Sequence, residues 1–184
     1  MGYPLRDLTL GQTHYIYSRC IDNQLLLKNK NLKKRFVRII KNAQKKYKFE
    51  LNGFSILDNE FRFIIHTLPN GTTLDRIMQY IKSKFALLYN KINKRTGPFW
   101  NERYKDEIIE NKYKSKYYFN LLICYLGLYP VKYGIANIPE DYIYSSFEDH
   151  FGKGNKLGIK ITKNPLFDHL LLQKLYAIIQ KLVL

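Results

Sequence analysis

Leu57-Asp58-Asn59-Glu60-Phe61-Arg62-Phe63-Ile64-Ile65-His66 is the stretch on which the fold turns. Its side chains alternate in character, and in a strand successive residues point to opposite faces. Glu60 and Arg62 should therefore share one face while Phe61 and Phe63 share the other. Asp58-Asn59 supplies turn chemistry just before it, and the alternating run Phe49 to Ile56 comes before that. The two runs are expected to pair as a hairpin.

Working outward, Thr13 to Arg19 reads as an opening strand. Leu32 to Tyr47 reads as a helix with Leu32, Phe36, Ile39, Ile40 and Ala43 on one buried stripe. Lys33, Lys34, Arg38, Lys41 and Lys45 fall mostly beyond it, either as a phosphate surface or as a solvated face. Pro69-Asn70-Gly71 marks a break. Thr72 and Thr73 are placed to cap a second helix, with Asp75 in its first turn and Leu74, Ile77, Met78, Ile81, Phe85, Leu88 and Ile92 along its apolar stripe. Lys94 to Tyr104 reads as an irregular connection into another strand. Within it, Phe99 and Trp100 either anchor the core or stack on an unpaired base.

Tyr117 to Leu128 reads as a helix that Pro130 should end or redirect. A glycine-rich break at Gly152-Lys153-Gly154 precedes a terminal amphipathic helix carrying Leu170, Leu171, Leu175, Ile178, Ile179 and Leu182. That helix either closes the core or supports a homodimer. The order strand, helix, strand, strand, helix, strand, helix predicts an α+β fold. Its core is a ferredoxin-like antiparallel sheet with helices packed on one face, plus a C-terminal helical extension. The expected division is residues 1–150 as the main domain and 151–184 as the extension.

The 184 residues carry 31 Lys plus Arg against 15 Asp plus Glu, a net charge of +16. Such a field favours phosphate-rich partners. Charge alone neither excludes nor favours RNA over DNA. Hydrophobic content of 46%, with sixteen Tyr and eleven Phe, is enough for a packed core and argues against disorder. Cys20 and Cys124 make neither a disulfide framework nor a zinc cluster. The sequence shows no leader pattern and no bilayer-length apolar run, so a cytoplasmic protein with no membrane partner is expected.

Tyr125-Leu126-Gly127-Leu128-Tyr129-Pro130-Val131-Lys132-Tyr133-Gly134, followed by Pro139-Glu140-Asp141-Tyr142 and Ser145-Ser146, resembles the distal signature of REP-associated tyrosine transposases. These belong to the wider IS200-like, single-tyrosine group. His14-Tyr15-Ile16 with Arg19 resembles the opening strand of that group, and Gly97, Phe99-Trp100-Asn101, Arg103-Tyr104 and Asp106 resemble its connection into the next strand. The resemblance runs from about residue 11 to 150 and implies a ferredoxin-like fold that recognises hairpin or single-stranded DNA. Active members break a DNA strand with a tyrosine nucleophile and bind a divalent metal through a histidine–hydrophobic–histidine strand.

By that resemblance Tyr125 stands at the nucleophile position. Glu60 and Arg62 stand where the two metal-binding histidines belong, and Tyr129 stands where an amide-bearing residue is usual. Arginine cannot coordinate a metal and repels one, so no metal ligand is assigned and canonical metal-dependent cleavage is expected to be lost. The main expectation is a DNA-binding protein with Arg19, Lys33, Arg38, Arg62 and Arg103 on phosphates and Tyr17 or Trp100 against a base. The alternative is an active strand transferase that forms a 5′-phosphotyrosine through Tyr125. In that reading Mg2+ or Mn2+ is held by Glu60 together with His14 or His66.

Overall fold

The computed structural model describes residues 9–152 and 154–183. Residues 1–8, Lys153 of the glycine-rich break, Leu184 and the side chains of Leu182 and Val183 lie outside the described residues. Four strands form one antiparallel sheet: β1 (Thr13–Arg19), β2 (Phe49–Ile56), β3 (Glu60–Thr67) and β4 (Lys105–Ile108). Their spatial order is β2-β3-β1-β4. With α1 (Lys30–Lys46) after β1 and α2 (Leu74–Ile92) after β3, this is the βαββαβ ferredoxin-like arrangement. The remaining helices are α3 (Ser115–Lys132), α4 (Phe147–Phe151) and α5 (His169–Val183).

The β2–β3 hairpin forms as the alternation requires, with Phe54 opposite Phe63 and Ile56 opposite Phe61. Leu57-Asp58-Asn59 makes the turn rather than extending the strand. Phe61 and Phe63 meet Phe36 of α1 at ring-centroid distances of 5.3 and 6.4 Å, and Phe36 meets Phe85 of α2 at 4.8 Å. This is the dry core under α1 and α2. At its edge Phe99 and Trp100 pack on Phe85.

The opposite face of the sheet is covered by α3 with α5 outside it. Tyr15 and Ile64 look out from the sheet there, among Phe119, Leu122, Ile123 and Leu126 of α3 and Leu172 and Leu175 of α5. A helix buried on most sides loses the one-sided pattern of a surface helix, and α3 buries ten consecutive or near-consecutive residues between Phe119 and Pro130. Gly127 permits the close approach of α4, because a Cβ there would stand 2.6 Å from the Phe147 ring.

Two local expectations are corrected. Pro130 does not end α3, which runs on to Lys132. Proline forfeits one backbone donor, and in the final turn the Tyr133 N–H still reaches the Tyr129 carbonyl at 3.2 Å while the Pro130 carbonyl accepts from Ile135. Thr73 occupies the N-cap position of α2, but its hydroxyl donates to Asp75 at 2.5 Å instead of capping a backbone N–H. Cys20 and Cys124 are free and buried, and burial pushes both thiols up to about 12. Among the described residues no helix is long and apolar enough to cross a membrane.

Candidate nucleic-acid site around Arg62

The register of β1 on β3 sets Tyr17 opposite Arg62 and Arg19 opposite Glu60. All four side chains thus start from the face covered by α3. From above, α3 presents Tyr125 and Tyr129 and its C-cap residue is Tyr133; the three are four residues apart and follow one helix face. Their rings follow one another at centroid spacings of 4.6 Å in both steps.

Arg62 is the hub. Its Nε donates to Glu60 Oε1 at 2.7 Å, one terminal nitrogen donates to the Tyr15 hydroxyl, and the other donates to the Tyr129 hydroxyl at 2.5 Å. The guanidinium carbon lies 4.2 Å from the Tyr129 ring centroid, 5.2 Å from Tyr17 and 5.7 Å from Tyr125, within cation–π range. The Tyr129 hydroxyl in turn donates a hydrogen bond to the Tyr133 oxygen at 3.1 Å. The second oxygen of Glu60 accepts from Arg19 Nε at 2.9 Å.

Burial opposes the charge on Arg62, but the Tyr15 and Glu60 oxygens around it more than compensate and hold its pKa above the ordinary value. Burial also raises the pKa values of Tyr15 and Tyr129, with the Arg62 charge working the other way. Both phenols therefore stay neutral at physiological pH and act as hydrogen-bonding groups.

This arrangement does not fit a divalent metal. Both oxygens of Glu60 already accept from guanidinium groups, and Glu60 and Arg62 are almost wholly buried, at 3% and 7% exposure. A dication placed about 4 Å from Arg62 would meet repulsion of about 8 kcal/mol at an effective dielectric of about 20. Neither histidine offered as a substitute ligand reaches Glu60. His14 sits on the opposite face of the sheet, its Nδ1 3.5 Å from Asp106. His66 shares the face of Glu60 but lies six residues along the strand, about 20 Å away at the usual rise, where it contacts Thr13.

The residues expected on DNA separate into two groups. Arg19, Arg38 and Arg103 are exposed, and Arg19 and Arg103 line one cleft with Tyr17 and Lys105. Lys33 instead faces inward: its ammonium donates to Asp58 at 2.6 Å and to Tyr142 at 2.8 Å. Burial lowers its pKa, with Asp58 opposing. Trp100 is also removed from any base, because its ring is packed on Phe61 and Phe99 and its Nε1 donates to the Lys82 carbonyl at 3.0 Å. Arg62 is enclosed in its own network. Tyr125 remains half-buried, with Lys132 Nζ 5.9 Å from its ring centroid.

Residues 9–118 match the family model of the IS200-like transposases, more than half of the chain. The chain belongs to the IS200-like transposase family. The solved structure of a REP-associated tyrosine transposase bound to a REP hairpin is similar over 91% of this chain and 94% of that one, with a TM-score of 0.63 and 19% identity. At that identity the likeness concerns the fold. No curated protein matches the chain.

Within this IS200-like family member, sequence reading missed Tyr15, Tyr133 and Lys132 as neighbours of the site. The four-residue spacing of Tyr125, Tyr129 and Tyr133 was the available signal. The part played by Tyr15 needed the strand register.

Proposed function

We propose that this IS200-like transposase family member binds hairpin or single-stranded DNA in the cytoplasm and has lost canonical metal-dependent strand cleavage. One observation carries the reading: Arg62, at the position of a metal ligand by resemblance, is an internally satisfied cation bound to Glu60, Tyr15 and Tyr129. The net charge of +16 supports a phosphate partner. The choice of hairpin DNA draws on the similar fold of the REP-associated transposase that holds a REP hairpin.

The neighbours of Tyr125 agree with binding rather than chemistry. Tyrosine becomes a useful nucleophile when its proton has somewhere to go and its oxygen is oriented. Arg62 beside it donates hydrogen bonds and accepts no proton, and the carboxylate of Glu60 is already occupied.

Fluorescence anisotropy with labelled hairpin and single-stranded DNA tests the proposal. Binding should weaken steeply with added salt and should be the same in chelator as in Mg2+. Undetectable binding to both DNAs at low salt would overturn the binding reading. A divalent-dependent covalent protein–DNA species that disappears in Tyr125→Phe would overturn the loss of cleavage.

A further inference from the structure

Helix α1 carries a charged stripe on the far side of the sheet from Tyr125 and Arg62. Lys30, Lys34, Arg38, Lys41 and Lys45 recur every three or four residues, which aligns them along one face. Four of them are exposed and Lys41 is half-buried. The stripe covers about 22 Å at the helical rise of about 1.5 Å per residue.

Nothing within α1 answers that charge. The helix contains no Asp or Glu, and its first turn carries no acid to complement the helix dipole. Lys30 faces Lys34, Lys34 faces Arg38, and Lys41 faces Lys45 at i,i+4 spacing, each a repulsive pair. Among the described residues the ion pair made from α1 is that of Lys33 with Asp58, which is turned inward. The free protein therefore holds a line of like charges at a cost to its own helix, and an anionic partner laid along the line would relieve it.

We propose that the outer face of α1 is a docking surface for the phosphate backbone of double-stranded DNA, such as the stem of a hairpin. This rests on the DNA-binding reading above and adds where the duplex lies. Single strands are held by aromatic side chains that stack on bases, and the stripe has none: the exposed residues of α1 beside it are Asn31, Arg35, Asn42 and Lys46. Tyr47, the C-cap residue of α1, and Tyr80 of α2 already pack on each other with Lys46 over both rings. Such a surface grips backbone phosphates and reads no sequence.

The test compares the full-length protein with its Lys34→Gln/Arg38→Gln/Lys45→Gln variant, using blunt duplex DNA, hairpin DNA and an oligothymidine over a salt series. Three lost phosphate contacts should weaken duplex and hairpin binding about 10²-fold at about 0.1 M salt and make the log–log salt slope shallower by about 3. Binding to oligothymidine should change far less. The melting temperature should hold or rise, since like-charge repulsion is relieved. If wild-type binds DNA and the variant keeps the same affinity and slope, α1 is not the docking surface, although DNA binding itself stands. An equal loss on oligothymidine would overturn the commitment to duplex. If wild-type binds none of the three DNAs, the DNA-binding reading falls and this surface falls with it.

Discussion

The two faces of β3 are built from interleaved residues and held by opposite means. Phe61 and Phe63 look into a dry aromatic core shared with Phe36, Phe85 and Trp100. Glu60 and Arg62 look into a polar knot shared with Arg19, Tyr15 and Tyr129. The aromatic side is stabilised by area removed from water and by dense contacts. On the other side, a desolvated charge is tolerated because each of its three nitrogens donates to a partner. The contrast shows that one strand can carry a buried ion pair on one face while its other face remains apolar.

The sharpest break should come on the aromatic side. Phe61→Ala empties a fully buried site and should cost about 4–5 kcal/mol of unfolding free energy in denaturant titration. On the polar side, Glu60→Leu leaves Arg62 buried without its carboxylate and should cost about 4 kcal/mol. The double variant Glu60→Leu/Arg62→Met should be more stable than Glu60→Leu alone, because no unpaired charge is left behind. If the double loses more than the single, charge pairing is not what holds this face together.

Acid should discriminate the sides further. His150 of α4 is buried beside the α3 layer, its ring stacked on Phe167 at 5.6 Å. Burial lowers its pKa from 6.5 to about 4. Between those values the unfolded chain binds a proton that the folded chain does not, so stability is fully present above pH 6.5 and falls as pH drops toward 4. The loss should be about 3 kcal/mol, and His150→Leu should remove that part of the pH dependence. The smallest effect is that of Tyr129→Phe, which strips one acceptor from Arg62 and should cost about 1–2 kcal/mol.

Much of this contrast was legible in the sequence, because strand alternation assigns Glu60 and Arg62 to one side and the phenylalanines to the other. The turn at Asp58-Asn59 and the apolar stripes of α1 and α2 were equally local. Lys33 was not placed correctly, although it sits one turn from Phe36 and Val37 on the buried arc. Its partners, Asp58 and Tyr142, are distant in the chain, and only the fold brings an acid and a phenol to a buried ammonium. Trp100 was ambiguous for a similar reason, since the Lys82 carbonyl that takes its N–H belongs to another element. The second helical layer was the least visible, because a helix enclosed by sheet, α4 and α5 has little polar face to mark its orientation.

The central claim is that Arg62 stands in place of a metal ligand, and a Mn2+ titration followed by paramagnetic broadening of the tyrosine resonances tests it most directly. The account predicts no stoichiometric broadening of Tyr15, Tyr125 or Tyr129 in the wild-type protein. One Mn2+ bound per chain beside these rings, and lost in Glu60→Gln, would contradict it.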